Sequence, residues 1–352
     1  MHNATEASVK KVSGSRVTVS GRQAWATLLL LVCLEAACTP TPSSNPPTIV
    51  PTAEPTLATL PSVASGRAAD ATSIPSQSPL DLSRLPRWSR GDVVSLLVLG
   101  IDRRANEPPR SDTILLTTID VARKQASVVS VPRDLLVDIP GHGQERINAA
   151  FSFGEQERAG GGPARVRDVI EQNLLVSPPH WAVVDFECFR SAVDAIGGLY
   201  IDVPTPIVDT EYPDETYGTM EVAFDPGFQW MSGERALQYA RTRHADSDFG
   251  RMRRQQAVLS ALRSQLITLQ RLPVLPSVLD GCHGFSSDLP LIDLVALAFT
   301  ARSIPESSIH LTVIDEQMTR PTMLSTGAEV LVPDWQAIRP LLRTALPAMA
   351  RG

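Results

Sequence analysis

Five short segments each set an arginine or an aspartate at the edge of an apolar run: Asp102-Arg103, Arg110-Ser111-Asp112-Thr113, Val131-Pro132-Arg133-Asp134, Arg241-Thr242-Arg243, and Asp248 through Gln255. Guanidinium groups are planar forks that grip an oxyanion through paired hydrogen bonds. Carboxylates at the ends of adjacent strands, here Asp102 and Asp112, can converge on one divalent cation that takes its other ligands from phosphate oxygens and water. Arginine identity alone carries little weight, because the chain has only three lysines, Lys10, Lys11 and Lys124, and uses arginine as its default cation. Position carries more.

Other catalytic frameworks are missing. There is no Gly-x-Ser-x-Gly, no His-Glu-x-x-His and no Gly-Lys-Ser/Thr phosphate loop, and His142, His180 and His244 stand singly. A net charge of −6 gives no broad attraction to anionic polymers, and no basic block or helix-turn-helix with a basic face points to nucleic acid. Any anion site has to be local.

The elements that must position these groups are legible as strands and helices in alternation. Val93 to Leu99, Val-Val-Ser-Leu-Leu-Val-Leu, is a predominantly apolar run between Gly91 and Gly100, the pattern of a strand buried on both faces, and it delivers Asp102 at its end. Thr113 to Ile119 and Ala126 to Val131, joined by a polar turn, predict a hairpin. Trp181 to Phe186, Leu199 to Val203 and Ile309 to Ile314 read as further strands; Arg165 to Leu175, Phe189 to Ile196 and Glu234 to Arg241 read as helices. The best helix runs from Phe249 to about Leu269, with Asp248 as its N-cap and Met252, Leu259, Leu262 and Leu266 on one face. Arg251 and Gln255, four residues apart on another face, can reach one ligand. The mixture predicts an α/β layered fold.

The first 37 residues have the layout of an export signal, a basic polar stretch with Lys10, Lys11, Arg16 and Arg22 and then an apolar run from Ala24 to Ala37. That run is about 14 residues, short of the roughly 20 a spanning helix needs. It holds Cys33 and ends Leu34-Glu35-Ala36-Ala37-Cys38, which resembles a bacterial lipoprotein cleavage site; lipidation of Cys38, simple secretion and an uncleaved anchor all place the following domain outside the cytoplasm. Residues 38–87, rich in Pro, Thr, Ser and Ala, read as a disordered linker able to reach on the order of 100 Å. Residues 88–350 are then the folded domain. In oxidising surroundings Cys188 and Cys282 are free to form a disulfide or to remain buried thiols.

Taken in order, the motifs resemble the LytR-CpsA-Psr family: Gly100 to Asp102, Arg110 to Thr113, Val131 to Asp134, Arg146-Ile147-Asn148-Ala149, Val193 to Gly198, Gly233, Ala236 to Arg243, and Asp248 to Gln256. The resemblance runs from about Val93 to Leu269 by motif, and to about Leu346 by strand pattern. It implies a central mixed β-sheet flanked by α-helices. It also implies an Mg²⁺-assisted (or Mn²⁺-assisted) phosphotransferase, tethered at the outer face of the cytoplasmic membrane. Such an enzyme moves a phospho-glycopolymer from a polyprenyl-pyrophosphate carrier to a peptidoglycan hydroxyl. On these motifs the catalytic set is Asp102, Asp112, Arg133 and Arg251. The diphosphate-binding set is Arg103, Arg110, Arg133, Arg146, Arg241, Arg243, Arg251 and Gln255. Asp102 and Asp112 are the metal ligands, with Asp248 either joining them or orienting Arg251. Asp112 or Asp134 could serve as general base, though a carboxylate beside Arg133 also suits the orienting of its neighbours. The same residues would serve a pyrophosphatase with water as acceptor, or a non-catalytic polyprenyl-phosphate-binding protein.

Overall fold

Leu97, Leu99 and Ile101 point to one side of strand β1 (Val93–Asp102) and are fully buried, while Val98, Gly100 and Asp102 point to the other side and are only partly so. The strand is therefore sealed on both faces only in its first half. In its second half one face stays open, and that is where the site lies. These observations come from a computed structural model that describes residues 92–103, 108–214, 218–243, 246–268 and 282–351. The export signal, Cys38 and the linker lie outside the described residues.

In chain order β1 is followed by β2 (Arg110–Asp120), β3 (Gln125–Ser130), β4 (Leu136–Ile139), β5 (Gly143–Arg146), α1 (Ala149–Glu157), α2 (Gly162–Leu174), β6 (His180–Asp185) and α3 (Phe186–Ala195). Then come β7 (Leu199–Val203), β8 (Ile207–Pro213), β9 (Thr219–Phe224), β10 (Gly227–Met231), α4 (Gly233–Arg241) and α5 (Asp248–Thr268). The chain closes with β11 (Phe285–Ser287), α6 (Leu291–Arg302), β12 (Ile309–Val313), β13 (Thr319–Met323), β14 (Glu329–Pro333) and α7 (Trp335–Ala345). The principal sheet is six-stranded and mixed, in the order β11-β6-β1-β2-β3-β12. β2 and β3 form the hairpin that the sequence pattern predicts, and β6 and β12 run parallel to β1 and β3 respectively.

One hydrophobic core packs Leu97, Leu99 and Ile101 of β1 against Val166, Val169 and Ile170 of α2 and Ile338 and Leu342 of α7. A second joins the small sheets β7/β10 and β8/β9 to α4 and α5 through Ile201, Val203, Val222, Phe224, Tyr239 and Val258. The turn into β7 needs Gly198, at φ +87°, where an added Cβ would lie 2.4 Å from the Trp230 ring nitrogen. Just before it, the Asp194 carboxylate accepts from the Gly233 N–H at 2.7 Å and ties α3 to the start of α4.

The register of β1 against β2 carries an irregularity with chemical consequences. Gly100 faces Thr113, but Ile101 faces Ser111 and Asp102 faces Arg110, so Asp112 is an extra residue with no partner across the ladder. Plain alternation would put Asp112 on the core face. The bulge gives that face to fully buried Ser111 and leaves Asp112 beside Thr113 on the open side. Gly100 lets the strands close there, since a Cβ on it would come within 2.9 Å of the Thr113 Cβ.

Cys188 and Cys282 are joined in a disulfide, Cα–Cα 5.4 Å, which settles the choice left open by their spacing. The helix α5 is capped by Ser247, whose hydroxyl accepts from the Gly250 N–H at 3.2 Å; Asp248, expected as the cap, is its first residue and turns inward.

Candidate active site

Two cavities meet at the open face of β1 and β2. One, about 590 Å³, has mostly apolar walls that include Val98, Leu115, Phe189, Val258, Leu259, Leu262 and Leu266. The other, about 350 Å³, is polar and is lined by Pro108, Arg110, Asp134, Arg146 and Asn148. Asp102, Asp112, Arg133 and Arg243 line both. The charged groups thus stand where an apolar compartment gives way to a polar one.

Strand ends and helix starts deliver these groups as the motif order requires. Asp102 ends β1, Asp112 sits in the bulge of β2, Arg133 follows β3, and Arg241 and Arg251 come from the end of α4 and the first turn of α5. Arg133 is fixed by three carboxylates: Asp112 at 2.8 Å, Asp134 at 3.3 Å and Asp248 at 3.7 Å. Arg251, only 4 % exposed, pairs with Asp248 at 2.5 Å. Arg241 pairs with Asp102 at 3.3 Å, takes the Tyr212 hydroxyl as a second acceptor, and lies 4.4 Å above the Phe186 ring. Asp134 bridges Arg133 and, at 3.6 Å, Arg146. A guanidinium held this way is aimed before any ligand arrives.

Burial and charge divide the carboxylates. Burial alone would raise Asp112, but the guanidiniums of Arg133, Arg251 and Arg241 outweigh it and hold the carboxyl below its ordinary value. For Asp248 burial wins over Arg251 and Arg133, with Asp134 and Asp112 adding repulsion, so it lies above its ordinary value. One Asp248 carboxylate oxygen is buried with no hydrogen-bond partner.

The geometry brings together Asp102, Asp112, Arg110, Arg133, Arg146, Arg241, Arg243, Arg251 and Gln255, all of which line one cavity or both. It does not bring in Arg103, whose side chain is 51 % exposed and reaches Asp185 at 3.8 Å instead. Asp248 lines neither cavity; it stands behind Arg133 and Arg251, so of its two expected roles the orienting one fits. Residue patterns missed Phe186 and Tyr212, whose rings lie 4.4 and 5.4 Å from the Arg241 guanidinium, and Asn148, which reads as an ordinary member of its motif until its burial is known.

Among the described residues no three His, Cys, Asp or Glu side chains cluster so as to hold a metal by themselves. A pair of carboxylates on a wall shared with arginines suits Mg²⁺, which keeps water and substrate phosphate oxygens as ligands, and is a poor set for zinc. No helix among the described residues is long and apolar enough to cross a membrane.

Comparison with known proteins bears on the family of the chain. The chain is 33 % identical over 193 residues to "Regulatory protein MsrR" of Staphylococcus aureus (strain COL), covering 54 % of this chain and 55 % of that protein, so it spans little more than half the length of that relative. It is 31 % identical over 242 residues to "Polyisoprenyl-teichoic acid--peptidoglycan teichoic acid transferase TagT" of Bacillus subtilis (strain 168), covering 66 % of this chain and 72 % of that one. A solved structure, "TagT bound to LIIa-WTA", superposes with a TM-score of 0.58 at 27 % identity, covering 76 % of this chain and 96 % of that chain. The family model described as "LytR_cpsA_psr family" matches residues 62–341, and the chain therefore belongs to the LytR-CpsA-Psr family.

Proposed function

We propose that this protein transfers a phospho-glycopolymer from a polyprenyl-pyrophosphate carrier to a hydroxyl of peptidoglycan, at the outer face of the cytoplasmic membrane. The observation that carries the reading is the wall shared by the two cavities, where Asp102, Asp112, Arg133 and Arg243 stand between apolar and polar space. A prenyl diphosphate glycan has the same sequence of parts: an apolar tail, a doubly charged junction and a hydroxylated head. The printed name of the TagT relative, a teichoic acid transferase acting on peptidoglycan, supports the same reaction class.

The tail lies along Leu259, Leu262 and Leu266, and the diphosphate meets Arg133, Arg241, Arg243 and Arg251, with Arg110 and Arg146 on the polar side. Asp102 and Asp112 would hold Mg²⁺, which would supply neutralisation of charge on the diphosphate. Asp112, kept ionised by its arginines, is suited to that task. The acceptor hydroxyl oxygen bonds to the glycan-bearing phosphorus. The bridging P–O bond breaks, and its electron pair leaves on the lipid phosphate. Asp134, which lines the polar cavity alone, takes the hydroxyl proton. Positioning and electrostatics supply most of the acceleration. The export signal, a lipidated Cys38 and the residue 38–87 linker complete the reading as membrane tether and spacer.

The test is a transfer assay with purified protein, a prenyl-diphosphate glycan and peptidoglycan, with products identified by mass spectrometry. Asp102→Ala and Arg133→Ala are each expected to fold and to lower transfer by roughly 10² to 10³. Unchanged turnover in both variants would refute the assignment. Free glycan phosphate with no glycan–peptidoglycan product would make the protein a pyrophosphatase instead.

A further inference from the structure

The outer face of the β7/β10 ribbon is aromatic where a solvated face would be polar. Leu199, Ile201, Val203 and Met231 point inward and join the second core. Strand alternation then turns Tyr200, Asp202, Phe228 and Trp230 outward, and the register sets Trp230 opposite Tyr200 and Phe228 opposite Asp202. Tyr200, Phe228 and Trp230 are 49, 73 and 55 % exposed. A single exposed apolar side chain needs no explanation, but three adjoining rings on one face do. Cross-strand pairing of aromatics stabilises a ribbon, yet a ring as open as Phe228 gains little from it.

The rings are set in place. Tyr200 and Phe228 lie nearly parallel, 11° between their planes and 5.5 Å between centroids, so their faces look the same way. The Trp230 ring N–H donates to the Gly197 carbonyl at 3.0 Å. Charge around them is one-sided: from Leu199 to Met231 the chain has seven acidic residues and no Arg, Lys or His. Arg235, reaching across from α4, is engaged by the Ala223 carbonyl and the Phe224 ring. An anionic bilayer or a phosphate-bearing polymer is repelled by such a surface, and insertion into a bilayer would also strip water from Asp202. Ring faces beside a carboxylate suit an uncharged sugar instead. Its C–H groups pack on the electron-rich faces, and its hydroxyls donate to the Asp202 oxygens.

We infer that the outer face of the β7/β10 ribbon is a docking platform for an uncharged, hydroxyl-rich sugar chain. None of its four side chains lines either cavity of the active site, so it is a second site. The identity of the chain rests on the transferase reading above: it is the glycan backbone of the wall acceptor, held here while one of its hydroxyls reacts elsewhere on the enzyme.

The test uses the full chain and two measurements, equilibrium binding of a β-1,4-linked N-acetylglucosamine hexamer, and transfer to polymeric peptidoglycan beside transfer to a soluble disaccharide fragment of it. Phe228→Ala is expected to weaken hexamer binding about tenfold, the scale of one lost aromatic contact, and to raise the half-saturating concentration of polymeric peptidoglycan by a similar factor. Turnover on the disaccharide fragment and Tm are expected to stay at their wild-type values. Phe228→Tyr, which keeps a ring, is expected to bind as wild type does, and Tyr200→Ala to weaken binding in the same direction as Phe228→Ala. No hexamer binding by wild type, equal binding by wild type and Phe228→Ala, or a loss of binding that comes only with a fall in Tm overturns the platform. So does Phe228-dependent sedimentation with vesicles of phosphatidylglycerol and phosphatidylcholine, which would give the face to a bilayer, or a Phe228-dependent dimer, which would give it to a second copy. Hexamer binding that depends on Phe228, with no transfer to either acceptor by wild type, overturns the transferase reading and leaves the platform standing.

Discussion

Two carboxylates held by the same arginines titrate in opposite directions. Asp112 lies below its ordinary 3.8, so it contributes stability that is fully present above that value and is lost as the pH falls through its lower folded value. Asp248 lies above 3.8, so its contribution is present below that value and is lost as the pH rises through its higher folded value. Urea unfolding of Asp112→Asn and Asp248→Asn between about pH 3 and pH 6 is expected to show opposite slopes. Wild type gains on Asp112→Asn as the pH rises and loses ground to Asp248→Asn; slopes of the same sign would contradict the division. At this scale the sequence was readable wherever a charged residue ends an apolar run, as Asp102, Asp112 and Arg133 do. It was unreadable where exposure decides: Arg103 carries the same charge as Arg133 but is half exposed and lines neither cavity, pairing instead with Asp185 of the apolar wall, and nothing about Asn148 as a residue type announces that it is buried.

Among the elements, α5 does two jobs that one leucine pattern cannot distinguish. Its Val258, Leu262 and Leu266 pack in or against the second core and also line the apolar cavity, whereas Leu259, partly buried, lines the cavity without joining that core. Filling that space tests the assignment. Leu262→Trp is expected to cut the preference for a long prenyl donor over a short one by about tenfold, because each methylene kept in water forfeits roughly 0.8 kcal/mol. Competition between donors of different chain length measures it, and an unaltered ratio removes Leu262 from the lipid path. Five of the six strands of the principal sheet were legible as apolar runs, but β11, three residues of which two are serine, carries no such pattern. The small paired sheets were not: β5, Gly143–Arg146, has no apolar side chain at all, and β13 contains Pro321, so both owe their extended form to a neighbouring strand rather than to a pattern of their own.

At the scale of the whole molecule, the site sits where two hydrophobic cores approach each other, and one covalent link fastens α3, which lines that junction, to chain 94 residues further on. A closed loop of that length restricts the unfolded chain, so Cys188→Ser is expected to cost about 2 to 4 kcal/mol and to lower Tm by roughly 5 to 15 °C in a calorimetric scan. An unshifted Tm would mean that the cores alone hold this wall. The bulge in β2 has a different kind of consequence. Because Asp112 faces the cavities only through one supernumerary position in the strand, the site is protected by spacing as well as by identity. Removing a single residue between Arg110 and Thr113 would act as a phase slip, returning the strand to even alternation and turning whichever residue remains between them toward the core. Evolution or engineering can therefore exchange side chains along this edge far more freely than it can change the count.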